Sequence, residues 1–272
     1  MLASANHVFD DATRIIAGDS SWQGNAGEDY FAFVGQFGGA TAASILRALI
    51  QHPERSGDPL ALTVNFCAPV VQGEFDLDIR LVKANRSSQH WSVEMTQDKA
   101  GVVTLATAVF AERRPSWSHQ QARFPGAKPF EQIAPYRNIA APWVGQYDFR
   151  FVEGEPKPGS SSPAAPGSAF SKLWIGDRAP RKIDALSLMS MSDAFFGRVF
   201  HARSELVPFG TVSLTTYFHT DMESLAAEDI TRVLAVADAK IFNRSYGDQH
   251  GELWSPGGRL LATTTQIAYF KA

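Results

Sequence analysis

Two short patterns of apolar and polar residues occur twice along the chain. Leu62-Thr63-Val64-Asn65-Phe66 is followed 152 positions later by Leu214-Thr215-Thr216-Tyr217-Phe218. Leu105-Ala106-Thr107-Ala108 is followed 156 positions later by Leu261-Ala262-Thr263-Thr264. Apolar and polar residues that alternate in this way are typical of β-strands. A loop insertion of four residues would explain the larger second offset, so the pattern predicts an internal repeat.

The residues around these segments predict the same order of elements in both halves. Before the first segment, a proline-free run rich in Ala, Leu and Ile predicts a helix over Gly39–Gln51, and before the second, Lys182–Phe200 predicts another. Turns at Asp98–Gly101 and Ser255–Gly258 indicate that strands follow each segment. Each half is therefore predicted to contain a helix, a strand and a three-stranded antiparallel meander. The meander strands are predicted over Glu74–Lys83, His90–Gln97 and Val102–Ala111, and then over Ile230–Ala239, Ala239–Leu253 with a break near Tyr246–Asp248, and Arg259–Phe270.

A long segment rich in proline and aromatic residues separates the two halves. Its composition indicates a domain boundary near Ala122–Pro142, and the alternation over Tyr147–Val152 predicts the first strand of the second half. We therefore expect an α+β protein with an N-terminal repeat over residues 1–122, a linker over 123–142 and a C-terminal repeat over 143–272.

Composition and charge exclude several classes of function. With 44% hydrophobic and 19% charged residues the chain is typical of a globular protein, and its net charge of -3 provides no basic surface for nucleic acid. No apolar run is long enough to span a membrane, and Met1–Gly18 does not resemble a secretory signal. The single cysteine, Cys67, is predicted to be a buried, unreactive thiol. These features predict a cytoplasmic protein with a small-molecule substrate and with no nucleic-acid or membrane partner.

Several common catalytic and cofactor motifs are missing. The chain has no Gly-x-Ser-x-Gly elbow and no phosphate-binding glycine loop. Gly18-Asp19-Ser20 resembles the nucleophile block of one esterase class, but Asp248-Gln249-His250 has the wrong spacing for the partner motif. The seven histidines show no paired spacing for a metal. We therefore expect neither a metal nor another cofactor.

Asp193 is the polar position with the clearest signal. It lies four residues after Met189 and three before Phe196, within the apolar stripe of the predicted helix. A carboxylate that faces a core needs a partner or takes a shifted pKa, although a position at the solvent edge of the helix is the simpler alternative. The corresponding helix of the first half has no acidic residue over Gly35–His52, which favours a site in the second half only.

Gln266 and Thr211 are candidates of a weaker kind. Gln266 follows small residues on one face of the last predicted strand, and Thr211 begins an earlier strand with Ser213 and Thr215 predicted on the same face. From the residues alone, a glutamine bonded to backbone and a threonine that simply favours a strand are the better explanations of these two positions.

Five short segments follow one another in a recognisable order. They are the glycine pair of Phe37-Gly38-Gly39 with the helix over Ala42–Leu49, then Asn65-Phe66-Cys67-Ala68-Pro69, Ser192-Asp193, Thr211-Val212-Ser213 ahead of Tyr217-Phe218-His219, and Thr265-Gln266. This order resembles that of the type II acyl-CoA thioesterases, a double-hotdog family. Ala40, where the family often has glutamine, and Ser213-Leu214, where it often has an acidic residue and histidine, depart from the pattern. These departures concern acyl and CoA preference more than fold.

The resemblance implies a fold, an activity and a set of site residues. The fold would be a double hotdog, in which two tandem repeats each pack a long helix on an antiparallel sheet and the two sheets are joined. The activity would be hydrolysis of acyl-CoA in fatty acid metabolism, with Asp193, Thr211 and Gln266 as catalytic residues. The backbone amides of Gly38 and Gly39 would bind the substrate oxyanion. A monomer and a homo-oligomer are both compatible with the resemblance. A non-catalytic acyl-CoA-binding protein and an enoyl-CoA hydratase of the same fold are the alternatives.

Overall fold

The structure is a computed structural model that describes residues 6–18, 21–157 and 167–271. Asp19 and Ser20 of the esterase-like block lie outside the described residues. The helices are α1 Val8–Ala12, α2 Gly38–Gln51, α3 Pro142–Gly145, α4 Ala185–Met191, α5 Arg198–Arg203 and α6 Met222–Ala227, with a 3₁₀ turn at Phe130–Gln132. The strands are β1 Ile15–Ala17, β2 Trp22–Ala26, β3 Asp58–Phe66, β4 Gly73–Ala84, β5 Ser88–Gln97, β6 Gly101–Ala111, β7 Tyr147–Glu153, β8 Ser171–Asp177, β9 Phe209–Phe218, β10 Arg232–Asp238, β11 Phe242–Asn243, β12 Tyr246–Trp254 and β13 Leu260–Phe270.

The described strands form one antiparallel sheet in which the two recurring segments lie side by side. The order is β1-β2-β4-β5-β6-β3-β9-β13-β12-β10-β8-β7, and β11 pairs with β12. The first segment lies in β3 and the second in β9, and Thr63 pairs with Thr215, their hydroxyl oxygens 3.0 Å apart. On each side of this central pair, the neighbouring strands follow one another outward in an equivalent order. The strand order is therefore equivalent on the two sides of the β3–β9 pair.

The buried face of the sheet packs against the helices. Burial alternates along β5 and β13, as expected for strands that have one face in the core. The helix α2 is buried along most of its length and packs against α4. Leu46 and Leu49 of α2 share one hydrophobic core with Leu62 of β3 and Leu214 of β9. The first-half helix and all three first-half meander strands thus form where the sequence predicts them.

The prediction of one long helix over Lys182–Phe200 is wrong. The segment instead forms two short helices, α4 and α5, separated by residues 192–197. The Ser192 hydroxyl donates to the Leu188 carbonyl at 2.8 Å, and Gly197 is the N-cap of α5. Serine side chains that bond to the backbone and glycine both disfavour a continuous helix. The second half consequently has no helix as long as α2 among its described residues.

Three further details differ from the sequence-based expectation. The break in the second meander lies at Arg244 and Ser245, which both have positive φ, so Tyr246 begins β12. The strands β1, β2 and β8 had no predicted counterpart. Cys67 follows β3 and is exposed, because the strand that was expected to bury it ends at Phe66.

The predicted linker packs against the C-terminal half. Phe124 and Phe130 lie on a small apolar cluster formed by Trp174, Leu234 and Trp254. The indole N–H of Trp174 donates to the Lys128 carbonyl at 2.9 Å. None of the helices in the described parts of the chain combines the length and the apolar character needed to cross a membrane.

Candidate active site

Asp193 lies in the turn that follows α4, one residue beyond the C-cap Ser192. Its backbone N–H donates to the Ser190 carbonyl at 3.2 Å, which holds the residue in a tight turn. This position differs from the predicted one within a helix, since α4 ends at Met191. The side chain nevertheless faces inward, and Asp193 is only 7% exposed.

Two polar side chains from the central strands contact the Asp193 carboxylate. The Gln266 amide nitrogen donates to Oδ1 at 3.0 Å, and the Thr211 hydroxyl lies 3.4 Å from the same oxygen. The Thr211 hydroxyl is also 3.4 Å from Oε1 of Gln266. A second bond from the Gln266 amide reaches the Ser192 carbonyl at 3.3 Å and fixes the side chain. The structure thus brings together the three residues that the sequence singled out.

A β-bulge turns Thr211 toward Asp193. In the β9–β13 ladder Ser213 pairs with Ile267 and Thr211 with Ala268, which leaves Val212 as an extra residue in β9. The expectation that Thr211 and Ser213 share a face is therefore wrong, because an extra residue reverses the alternation. Without the bulge the Thr211 hydroxyl would point to the opposite face from Gln266.

The N-terminus of α2 completes the cluster from the first half of the chain. The Gly39 backbone N–H donates to the Asp193 carboxylate. A side chain has no room here, because a Cβ at Gly38 would lie 2.7 Å from Oδ2 of Asp193 and one at Gly39 would lie 2.4 Å from the Ser190 carbonyl oxygen. The cluster therefore forms only where the two halves meet.

Burial decides the ionisation of Asp193. It raises the pKa of the carboxyl to about 7, even though hydrogen bonds from Gly39, Gln266 and Thr211 lower it. The groups that oppose the rise are all neutral donors. A carboxyl group with this pKa can both accept and release a proton near neutral pH.

One further polar residue beside this cluster was not recognised from the sequence. Gln249 pairs directly with Gln266 in the β12–β13 ladder, and it is 4% exposed. Successive residues of a strand point to opposite faces. Counting back in steps of two from the turn at Ser255–Gly258 would therefore have placed Gln249 on the buried face.

Among the described residues, no group of three or more His, Cys, Asp or Glu side chains could hold a metal ion.

Two family models match the chain. The family model described as acyl-CoA thioesterase N-terminal domain matches residues 28–111, and the one described as acyl-CoA thioesterase C-terminal domain matches residues 107–270. Comparison with curated protein sequences gives no match.

Solved structures show the same fold. A conserved protein of unknown function with a hot dog fold from Alicyclobacillus acidocaldarius is 41% identical, with a TM-score of 0.92 over 98% of this chain and 99% of that one. The acyl-CoA thioesterase II TesB2 from Mycobacterium marinum is 17% identical, with a TM-score of 0.74 over 97% and 98%. A tesB protein from Mycobacterium avium subs paratuberculosis is 17% identical, with a TM-score of 0.75 over 97% and 98%. The predicted hotdog fold is thus shared with structures that match nearly the whole chain.

Proposed function

The chain belongs to the acyl-CoA thioesterase family, and from this premise we propose that it hydrolyses acyl-CoA to a free acid and CoA, with Asp193 as the general base. The observation that carries the proposal is the contact of one buried carboxylate with Gln266, Thr211 and the N-terminus of α2. Buried carboxylates with raised pKa values are typical of functional sites. Burial of a charged group lowers the stability of the fold, so a protein seldom keeps such a group without a function for it.

The proposed reaction is direct attack by water. Asp193 removes a proton from the water, the water oxygen bonds to the thioester carbonyl carbon, and a tetrahedral oxyanion forms. The oxyanion then collapses, the carbon–sulfur bond breaks, and the CoA sulfur leaves with the proton that Asp193 had taken. Thr211 and Gln266 would hold the water in line with the carbonyl carbon, because their polar groups surround the same carboxylate oxygen.

The backbone amides of Gly38 and Gly39 are the proposed donors to the oxyanion. They begin α2, where unsatisfied amides and the helix dipole favour negative charge. The Gly39 amide donates to Asp193 in this structure, so a substrate carbonyl would compete for that donor. Such competition would weaken a bond that lowers the pKa of Asp193 and would make the carboxylate a stronger base.

We further propose that the two halves are tandem hotdog repeats, with boundaries near residues 1–122 and 143–272 and a linker over 123–142. The central pairing of β3 with β9 and the equivalent strand order on each side support this division. The short helix α4 would then be the counterpart of α2.

The direct test is release of thiol from acyl-CoA thioesters of increasing chain length, followed with a colorimetric thiol reagent. The proposal requires turnover that stops when Asp193 is replaced. Tight binding of acyl-CoA without thiol release would instead favour a non-catalytic binding protein. Addition of water to enoyl-CoA would favour a hydratase.

The pH dependence of hydrolysis is expected to report Asp193. Because a general base acts in its ionised form, kcat/KM should fall as the pH drops below about 7 and level off above it. Gln266→Leu removes a donor that lowers the pKa, so its midpoint should lie at higher pH than that of the wild type. Loss of thioester absorbance between pH 5 and 9 measures both profiles. Identical midpoints for the two proteins would contradict the assignment.

A pair of Thr211 substitutions tests the role of its hydroxyl. Thr211→Val keeps the size and the strand preference but removes the hydroxyl, and we expect kcat/KM to fall by about 10-fold or more. Thr211→Ser keeps the hydroxyl and should retain most of the activity. Steady-state kinetics with one acyl-CoA measure the difference. Equal losses in the two variants would mean that only the shape of Thr211 matters.

A further inference from the structure

One end of the helix pair α2 and α4 carries the Asp193 cluster. A Cβ at Gly39, at the start of α2, would lie 2.4 Å from the carbonyl oxygen of Ser190, near the end of α4. The opposite end of the pair contains Arg47 of α2 and Asp184, the N-cap of α4. Arg47 follows Gly39 by eight residues, so this far end is about 12 Å from the cluster along the helix axis.

Asp10, a residue of α1, connects the two helices at this far end. The guanidinium of Arg47 donates to Oδ1 of Asp10 at 2.8 Å. The guanidinium of Arg181, which precedes α4, donates to Oδ1 at 2.9 Å and to Oδ2 at 3.0 Å. Arg181 also donates to Asp184 at 2.6 Å, and Asp184 caps α4 by accepting from the Ser187 N–H at 2.8 Å. One carboxylate of α1 thus connects a helix of the first half to the start of a helix in the second half.

This carboxylate separates two positive charges that lie in partly desolvated surroundings. The side chains of Arg47 and Arg181 are only 18% and 13% exposed, and both donate to the same oxygen of Asp10. Burial acts to raise the pKa of Asp10, but hydrogen bonds from Arg181 and Arg47 lower it below its usual value, so the group is ionised at neutral pH. Without Asp10 the two guanidiniums would share no carboxylate among the described residues and would repel each other.

From this arrangement we infer that Asp10 is a positioning residue for hydrolysis, because it holds α2 against α4 so that the Gly39 amide stays in contact with the Asp193 carboxylate. The inference rests on the proposed thioesterase function. Gly39 belongs to the first half of the chain and Asp193 to the second, so their contact depends on the spacing of the two helices. Closely packed helices transmit strain along their length, and a wider spacing at the far end therefore reaches the cluster.

Asp10→Asn keeps the size of the side chain but removes the charge that binds both guanidiniums. We expect kcat/KM to fall by about 10-fold, as for partial misplacement of a reacting group. We also expect the midpoint of its pH profile to rise by about half a unit. This profile reports the free enzyme, in which the Gly39 N–H bond lowers the pKa of Asp193, so a weaker bond raises that pKa. Loss of thioester absorbance between pH 5 and 9 measures both effects.

The direction of the shift separates positioning from a simple effect of charge. Removal of a negative charge favours the ionised form of Asp193 and would lower the midpoint. Arg47→Lys leaves the net charge unchanged, but a single ammonium cannot bind Asp10 and Thr13 together as the guanidinium does, so its midpoint should rise as well. Asp10→Glu keeps a carboxylate and should return kcat/KM and the midpoint most of the way to the wild-type values.

Asp11→Asn is the matched control for Asp10→Asn. Asp11 is the next residue of α1, and it pairs with Arg14 at the surface, where both side chains are about half exposed. The substitution removes the same charge from the same helix but leaves α2 and α4 connected. We therefore expect kcat/KM and the pH midpoint of the wild type.

The pKa of Asp193 can also be followed without turnover, from the pH dependence of its carboxyl carbon NMR signal. Asp193→Asn identifies this signal and separates it from that of Asp177, whose pKa is about 6. Tyr147 is the other titratable group close to Asp193, and burial raises its pKa well above the usual value, so it stays neutral throughout. The signal of Asp193 should titrate at higher pH in Asp10→Asn than in the wild type.

The possible failures of the inference and of the proposed function can be told apart. An unchanged or lower midpoint in Asp10→Asn, even with a lower Tm, would overturn the inference while hydrolysis stands, because Asp10 would then only stabilise the fold. An equal rise in Asp11→Asn would overturn it too. Absence of thiol release by the wild type would overturn the proposed function, whereas a raised pKa of Asp193 in Asp10→Asn would still support the role of Asp10 in holding α2 against this carboxylate.

Discussion

Asp193→Asn is expected to lower kcat/KM for acyl-CoA by about 10³-fold, within the range found when a general base is removed. Asparagine has the same shape and can keep a hydrogen bond with Gln266 by rotation of its amide, but it cannot accept a proton from water. The residual rate should no longer depend on pH near 7, because the group that titrates there is gone. Thiol release at pH 8 measures the loss.

The same substitution is expected to stabilise the fold at pH 8. The pKa of Asp193 is raised from 3.8 to about 7 on folding, so the folded state favours the neutral acid. The free energy of unfolding of the wild type therefore falls as the pH rises from about 4 to 7, on the order of a few kcal/mol. Asp193→Asn removes this penalty. Its advantage over the wild type should be largest above pH 7 and small near pH 4, as thermal unfolding at both pH values would show.

Asp177→Asn provides the control for this experiment. Asp177 is also buried, at 6% exposed, and burial raises its pKa to about 6. It ends β8, which β12 and β10 separate from Gln266 on β13. Its amide variant should gain stability at pH 8 in the same way but keep the wild-type kcat/KM. An Asp193→Asn protein with normal hydrolysis would refute the proposed mechanism, and equal loss of activity in both variants would point to a general structural effect.

Gly38→Ala is expected to lower kcat/KM by about 100-fold, because misplacement of a reacting group by about 1 Å has effects of that size. The added methyl group would lie 2.7 Å from Oδ2 of Asp193 and 2.9 Å from the Phe66 ring. The carboxylate would have to move away from this methyl group and would be displaced from Gln266 and Thr211. Alanine suits a helix start better than glycine does, so helix formation itself should not suffer.

Gly210→Ala is the matched control for Gly38→Ala. Gly210 precedes Thr211 in β9, and a Cβ there would meet no atom within 4 Å. We therefore expect nearly normal kinetics, although Gly210 is next to the site residue Thr211 along the chain just as Gly38 is next to Gly39. Steady-state kinetics together with a thermal melt of each variant separate loss of activity from loss of fold. If Gly38→Ala retained wild-type kcat/KM, close contact between α2 and Asp193 would not be needed for function.

Local pattern was sufficient to predict much of the sheet. The meander strands β4, β5 and β6 and the turns at Asp98–Gly101 and Ser255–Gly258 follow from alternation and turn residues, which depend only on neighbours along the chain. The prediction of one helix over Lys182–Phe200 was wrong. The hydrogen bond from the Ser192 hydroxyl to the Leu188 carbonyl and the N-cap position of Gly197 can be seen only in the folded turn.

The chain itself thus determined the internal repeat, the position of α2 and the identity of three polar residues that stand out from their surroundings. Tertiary structure alone decided that these three meet, since Asp193, Thr211 and Gln266 come from a turn and two strands that are separated along the chain by 18 to 73 residues. The bulge at Val212 that turns Thr211 inward depends on the register with β13. The pKa of about 7 at Asp193 depends on how completely the packed halves exclude water. Register and desolvation are properties of the assembled sheet, so no stretch of sequence read alone contains them.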